Sequence, residues 1–193
     1  MLNQITINTL ITDLFSGFSF RTKVENEVGG DLSVIQMKDL YGNYASIKSD
    51  LTKVSSEKIS SKFFLQKGDV LFIAKGSNNF AIEYNLDLPK AIAASAFFIL
   101  RPYTSKVVPA YLAWYINQSP VQQYLKENMA GTYIPNINKS TIEGIMVSLP
   151  AMDVQKKIVL IDDLRKKESF LMSQISEKRE VAVRAALLDI VNN

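Results

Sequence analysis

Residues 131–159 read GTYIPNINKSTIEGIMVSLPAMDVQKKIV, and they join two kinds of chain. The first part is a glycine-led polar loop in which Thr132, Tyr133, Asn136, Asn138 and Lys139 present side chains able to grip a ligand. Ile142, Ile145, Val147 and Leu149 follow at a spacing that predicts a strand buried on one face. Pro150 ends that strand, and Asp153 is placed to cap a helix running almost to the C-terminus. From there Val154, Ile158, Ile161, Leu164, Leu171, Ile175, Ala182 and Ala185 recur at steps of three and four, with Glu168 and Lys178 interrupting the seam. A helix from Asp153 to Val191 is about 58 Å long, too long to bury its stripe against one compact body, so the stripe needs a partner helix.

Upstream of this junction the pattern is strand-rich. Residues 4–16 alternate loosely, as a strand or a short helix. Gly29-Gly30-Asp31 reads as a turn into a buried strand from Leu32 to Met37. Residues 45–62 are Ser- and Lys-rich and predict a loop with a short helix near 55–60. Lys67-Gly68-Asp69 turns into a strand from Val70 to Ala74, and Ala91 to Leu100 reads as one buried strand closed by Arg101-Pro102. Pro109 marks the first turn of one helix. Ser119 and Pro120 serve as cap and first residue of another. Strands with a few short helices, without regular β-α-β alternation, define an α+β body. The expected domains are 1–150 and a helical arm, 151–193.

Composition narrows the chemistry. The 193 residues are 47% hydrophobic, enough for a folded core. There is no Cys, hence no disulfide or thiolate metal site, and no His, the commonest general base and transition-metal ligand. Phosphate-loop, dinucleotide, zinc-protease and nucleophile-elbow motifs are absent. Glu25 and Glu27, and the adjacent Asp162 and Asp163, read as solvated acids. No apolar run approaches the ~18 residues of a membrane span, and no signal peptide is visible. A soluble, cytoplasmic protein is expected. The net charge of +3 scarcely favours nucleic acid, although seven Lys stand between positions 38 and 75 against Asp39, Asp50, Glu57 and Asp69.

What remains is a set of polar, glycine-anchored loops. Lys75-Gly76-Ser77-Asn78-Asn79 puts a cation, a hydroxyl and two amides at the end of a buried strand; Asn can pair bidentately with adenine, and Lys reaches phosphate or guanine. Phe18 and Phe20 accompany Arg21 and Lys23, Tyr41 and Tyr44 accompany Lys38 and Asn43, and Tyr133 accompanies Asn136 and Lys139. Each loop alone is also ordinary turn chemistry.

The segments SGFSFRTK, VIQMKDLYGN, LQKGDVLFIAKGSNN, AFFILRP, YLAWYINQSPVQQYL and GTYIPNINKSTIEGIMVSLPAMDVQKKIV, in this order, resemble the specificity subunit of type I restriction-modification systems. At the junction Gln155 matches the family's pattern, whereas the usual acid beside it is missing. The resemblance implies a target recognition domain of mixed strands and short helices that reads one half of a split site in double-stranded DNA. It also implies a spacer helix that pairs with another helix and docks methyltransferase subunits, with a restriction subunit as a further partner. A complete member has two recognition domains and two spacer helices. This chain shows one of each and no internal repeat, as a natural half-subunit or a fragment would.

The reading is a non-catalytic DNA-specificity module. Its candidate contacts are Lys75, Ser77, Asn78, Asn79, Tyr133 and Asn136, with Arg21 and Lys23 as phosphate clamps. Ile158, Ile161, Leu164, Leu171, Ile175 and Ala182 form the partner face, for a homodimer or for pairing with a different half-subunit. S-adenosylmethionine, ATP and Mg²⁺ would belong to partner subunits, and no metal is expected here. The alternatives are an interaction adaptor that uses its helix and never touches DNA, and a stand-alone enzyme.

Overall fold

The computed structural model of the chain describes residues 4–42, 46–76, 78–130 and 135–192. Ser77 and Tyr133, together with Tyr44, Asn43 and Thr132, lie outside the described residues. The chain divides into two compact units, Met1–Gln155 and Lys156–Asn193.

In the first unit the central element is β10 (Phe97–Pro102), whose Phe97, Ile99 and Leu100 are fully buried. It pairs antiparallel with β2 (Ile11–Ser16) on one side and with β7 (Val70–Ile73) on the other; β8 (Ala81–Glu83) lies beyond β7. Phe98 stands opposite both Ser16 and Phe72. Since both neighbours run against β10, they run parallel to each other, and both end where β10 begins. A second sheet orders β6 (Thr52–Val54), β3 (Leu32–Ile35) and β9 (Ala91–Ala93), with β3 antiparallel to β6 and parallel to β9. Two small ladders complete the set: β1 (Gln4–Thr6) with β11 (Met146–Ser148), and β4 (Leu40–Tyr41) with β5 (Ser46–Ile47).

The runs VLFI and LSVI are buried at every position, as strands covered on both faces must be. Ile35, Leu71, Ile73, Phe97 and Ile99 form the main core. Leu32, Val34, Val54 and Ile92 form a second one, against which Phe18, Phe20 and Phe63 pack. Helix α1 (Pro109–Ile116) starts at Pro109, where a missing N–H costs nothing, and buries Tyr111, Leu112 and Ile116. Two more helices follow, α2 (Ser119–Glu127) and the short α3 (Lys139–Glu143).

Beneath Lys67-Gly68-Asp69 lies an ion pair that the sequence did not reveal. Asp69, 1% exposed, accepts from Arg101 Nε and Nη2 at 2.8 Å each and from the Gln66 amide at 2.8 Å. The forked guanidinium also donates to the Phe64 carbonyl at 3.1 Å. This ties the turn before β7 to the far end of β10.

The second unit is helical. It holds most of α4 (Met152–Asn192), a 41-residue helix about 62 Å long. At its start Gln155 is 1% exposed: its Oε1 accepts from the Val108 amide at 2.8 Å, and its Nε2 donates to the Pro150 carbonyl at 2.9 Å. Those bonds carry the first unit past Pro150 into the first turn of the helix.

Several expectations are corrected here. Residues 142–149 are not one strand: Ile142 lies in α3, which ends at Glu143, and β11 begins only at Met146. The Ser- and Lys-rich stretch hides β5 and β6 and a 3-10 turn at Ser61–Phe63 rather than a helix near 55–60. Ala91 to Leu100 is two strands with a turn between them. Gln118, not Ser119, is the N-cap of α2. Asp162 is not solvated. At 8% exposure it bonds Arg165 and Lys166 on its own helix, and their hydrogen bonds outweigh the opposing effect of burial and hold its carboxyl below the usual range.

Candidate nucleic-acid interface

The turn between β9 and β10 organises one end of the main sheet. Its backbone bonds loops on either side. The Phe18 amide donates to the Ala93 carbonyl at 2.8 Å, the Gly17 amide to the Phe97 carbonyl at 2.9 Å, and the Ala74 amide to the Ala96 carbonyl at 2.9 Å. The Ala94 amide donates to the Ile35 carbonyl at 2.9 Å, which brings in the end of β3 as well. Gly17 is required by this crowding: a Cβ there would lie 2.2 Å from the Ala94 carbonyl oxygen and 2.6 Å from that of Ala93. The loops that follow β2 and β7 therefore leave from the same end of the sheet.

The β7–β8 loop meets residues 135–137 at this end. Lys75 and Asn136 form an antiparallel bridge, with the Gly76 amide donating to the Pro135 carbonyl and the Ile137 amide to the Ala74 carbonyl, both at 2.9 Å. Asn136 is also bonded both ways to Ala130, at 2.8 and 3.0 Å. Gly76 sits at φ +94, a conformation that glycine adopts without strain. The outcome is a backbone-held platform from which Lys75, Asn78 and Asn136 face solvent. Two loops that are 60 residues apart in sequence thus present a cation and two amides on one surface.

Asn79 does not belong with them. It is 4% exposed, and its Nδ2 donates to the carbonyls of Ile73 at 3.0 Å and Ala74 at 3.4 Å. Its amide closes the hairpin and faces no ligand. Just beyond, Asn117 at the end of α1 holds β8 in the manner of a neighbouring strand, exchanging two 2.8 Å bonds with the Ala81 backbone. Asn138 is likewise occupied as N-cap of α3, its Oδ1 accepting from the Thr141 amide at 2.8 Å, and Lys139 lies 3.8 Å from Glu143.

Arg21 and Lys23 lie exposed on the loop after β2. Lys23 pairs with Glu25 at 3.2 Å, a contact of little energetic weight at such exposure. Phe18 and Phe20 contact edge to face at 4.8 Å, and Phe18 meets Phe63 at 5.3 Å, so these rings brace the loop on the second core rather than wait for bases. Lys62, over the Phe63 ring at 5.1 Å, joins this basic edge. Its sequence signals are the run of seven Lys between positions 38 and 75 and the aromatic beside it. Glu27, meanwhile, is structural, accepting from the Ser55 amide at 2.8 Å. A cleft of about 320 Å³ lies elsewhere, lined by Asn26, Lys38, Asp39, Lys48, Asp50, Leu51 and Thr52. Its two lysines are matched by two aspartates, which leaves no net attraction for phosphate.

Among the described residues no group of acids is arranged to hold a metal, and no helix is long and apolar enough to cross a membrane. The Tyr111 hydroxyl, pushed up to about 12 by burial, donates to the Ser148 carbonyl at 2.6 Å and fastens α1 to β11. It is a brace, not an acid–base group.

The fold and this platform define a mixed α+β contact domain that leads into a long helix. Residues 10–177 match the model of one family, described as the type I restriction modification DNA specificity domain, and the chain belongs to that family. The MjaIX type I restriction enzyme specificity subunit of Methanocaldococcus jannaschii is 25% identical over 178 residues, covering 86% of this chain and 40% of that protein. The StySPI specificity subunit of Salmonella potsdam is 26% identical over 168 residues, covering 81% and 34%. The HsdS subunit structure from Thermoanaerobacter tengcongensis superposes with a TM-score of 0.61 at 16% identity, covering 95% of this chain and 45% of that one. The chain spans less than half the length of each of these relatives.

Proposed function

We propose that the chain reads one half of a split, double-stranded DNA site within a type I restriction-modification complex and carries no catalysis of its own. The observation that supports this most is the Lys75–Asn136 bridge, which fuses two polar loops into one exposed surface at a sheet end. Lys75 and Asn136, with Asn78, and with Ser77 and Tyr133 from the same loops, contact bases and phosphates. Arg21 and Lys23, flanked by Lys62, meet the backbone beside them. In this reading α4 is the assembly arm. It docks methyltransferase subunits and pairs with another helix, while S-adenosylmethionine, ATP and Mg²⁺ are bound by the partner subunits, with a restriction subunit completing the nuclease.

The test is a titration with methyltransferase subunits present, on duplexes carrying the site found by methylation mapping and on scrambled ones. Lys75→Ala should weaken binding to both and make log affinity against log salt shallower by about 1. Asn78→Ala or Asn136→Ala should relax discrimination at one base pair by roughly 1–3 kcal/mol. Variants that all bind and discriminate like the parent would remove the platform from the interface. Loss of every DNA-dependent signal from the parent complex would favour an adaptor that works through α4 alone.

A further inference from the structure

Residues 36–51, which connect β3 to β6, leave the first unit at the end that carries the platform. β3 stops at Ile35, whose carbonyl accepts from the Ala94 amide in the β9–β10 turn, and β6 starts at Thr52, opposite Val34. Both ends of the connection are thereby fixed beside that turn. Its base is closed by two 2.8 Å bonds, from the Gln36 amide to Asp39 Oδ2 and from the Lys48 amide to the Asp39 carbonyl. Beyond that base, β4 and β5 pair Leu40 with Ile47 and Tyr41 with Ser46. Leu40 and Ile47 are buried in the main core together with Ile73 of β7. Successive side chains of a strand point to opposite faces, so the burial of Leu40 sends Tyr41 outward. Tyr41 is 53% exposed, and among the described residues its ring meets no other ring and its hydroxyl makes no hydrogen bond. Gly42 follows at φ +60 and turns the chain directly after it. The loop after β2 borders the same connection: its Asn26 lines the cleft of Lys38, Lys48 and Asp50, and Asn26 Oδ1 accepts from the Lys53 amide at 2.8 Å.

We propose that the β3–β6 connection is a further reading element, with Tyr41 as a specificity-determining residue for duplex DNA. The proposal rests on the reading of the platform as a DNA contact and adds a third loop to it. A phenol held on a buried anchor suits the task. Its hydroxyl both donates and accepts, its ring packs on a sugar or a thymine methyl, and only two side-chain torsions have to be ordered. Charge decides which kind of contact it makes. Lys38 and Lys48 are balanced by Asp39 and Asp50 around the cleft, so the connection adds no net pull on phosphate. Tyr41 therefore tells sequences apart, whereas Lys75, Arg21 and Lys23 hold the backbone.

The complex with methyltransferase subunits is titrated with the site found by methylation mapping and with duplexes each changed at one base pair. Tyr41→Ala should weaken binding to the site by roughly tenfold and flatten the penalty at one base pair, a different one from that relaxed by Asn78→Ala. The slope of log affinity against log salt should keep its parent value, because no phosphate contact is lost. The melting temperature should stay within about 2 °C of the parent, which separates this loss from unfolding. p-Benzoylphenylalanine introduced at position 41 should cross-link under illumination at or beside the same base pair, and the same side chain at position 78 reports on the platform. Cross-linking from position 78 but not from 41, or a Tyr41→Ala complex that discriminates like the parent, would overturn the proposal and leave the platform standing. A shallower salt slope with discrimination intact would overturn it too, by assigning Tyr41 to the backbone. A parent complex that binds no DNA would overturn the platform and this element together.

Discussion

Asn78 and Asn79 are adjacent and chemically identical, yet the first is exposed and the second buried, so substituting each by alanine separates a part in the fold from the contact proposed for Asn78. In Asn79→Ala the donors on the Ile73 and Ala74 carbonyls disappear. The Ala74 carbonyl keeps its bond from the Ile137 amide, so only the Ile73 bond, the shorter of the two at 3.0 Å, is a full loss. A buried acceptor left without its donor costs about 1–3 kcal/mol. Taking about 2 kcal/mol and 2–4 °C per kcal/mol for a chain of this size, Tm should fall by about 4–8 °C. Asn78→Ala, exposed, should stay within about 0.5 kcal/mol of the parent. Thermal unfolding followed by circular dichroism gives the first number, and binding to matched and single-substituted duplexes gives the second. The reasoning is refuted if Asn79→Ala melts with the parent and yet relaxes one base position.

Gly17→Ala forces a methyl into the Ala93 and Ala94 carbonyls and should cost about 3 kcal/mol in urea unfolding, while weakening DNA binding because the turn between the loops must shift. Asp69→Asn breaks the charge pair of Arg101 at a site 1% exposed and should cost about 3 kcal/mol with an unchanged denaturant slope; a loss under 1 kcal/mol would show that the pair is idle. Asp31 is held well below the usual carboxylate range by hydrogen bonds from Lys90 Nζ at 2.7 Å and from the Ser56 hydroxyl and amide at 2.8 and 2.9 Å. Because its folded pKa lies under the unfolded value of about 3.9, its contribution is complete above that pH and is lost as pH falls through the folded value. The stability gap between parent and Asp31→Asn, from urea titrations at fixed pH, should therefore be flat from neutrality to about pH 5 and should close below about pH 4; a gap that widened on acidification would contradict this.

The parts of the fold that were legible in the sequence were those with a long period or strong punctuation. The helix from 152 onward, the strand after Lys67-Gly68-Asp69 and the helix at Pro109 all carry such signals. Where the punctuation is weak the reading ran on. Ala94-Ser95-Ala96 is small and contains no Gly, Pro, Asn or Asp, so the turn that organises the sheet end looks like the middle of a strand. Ile142 and Ile145, three apart, fit a helix and a following loop as well as a strand. Thr52–Val54 earns its strand from β3 beside it, a non-local partner that propensity does not see. For the candidate site, residue type singled out Lys75, Asn78 and Asn136, which the structure leaves exposed. It did not distinguish Asn79, whose direction into the hairpin depends on the neighbouring backbone.

The platform at the sheet end is assembled by main-chain bonds: Gly17, Phe18, Ala74, Gly76, Asn136 and Ile137 all contribute amides that donate to carbonyls. Main-chain bonds are indifferent to side-chain identity. Positions 75, 78 and 136 can therefore be rewritten freely while the scaffold folds as before, whereas Gly17 and Asn79 cannot. If the platform reads DNA as proposed, a lineage carrying this arrangement can change its target by a few surface substitutions, each nearly silent in stability. Saturation of these five positions, sorted first for folded protein and then for the sequence bound, would expose that division of labour as two kinds of site, three variable and two invariant.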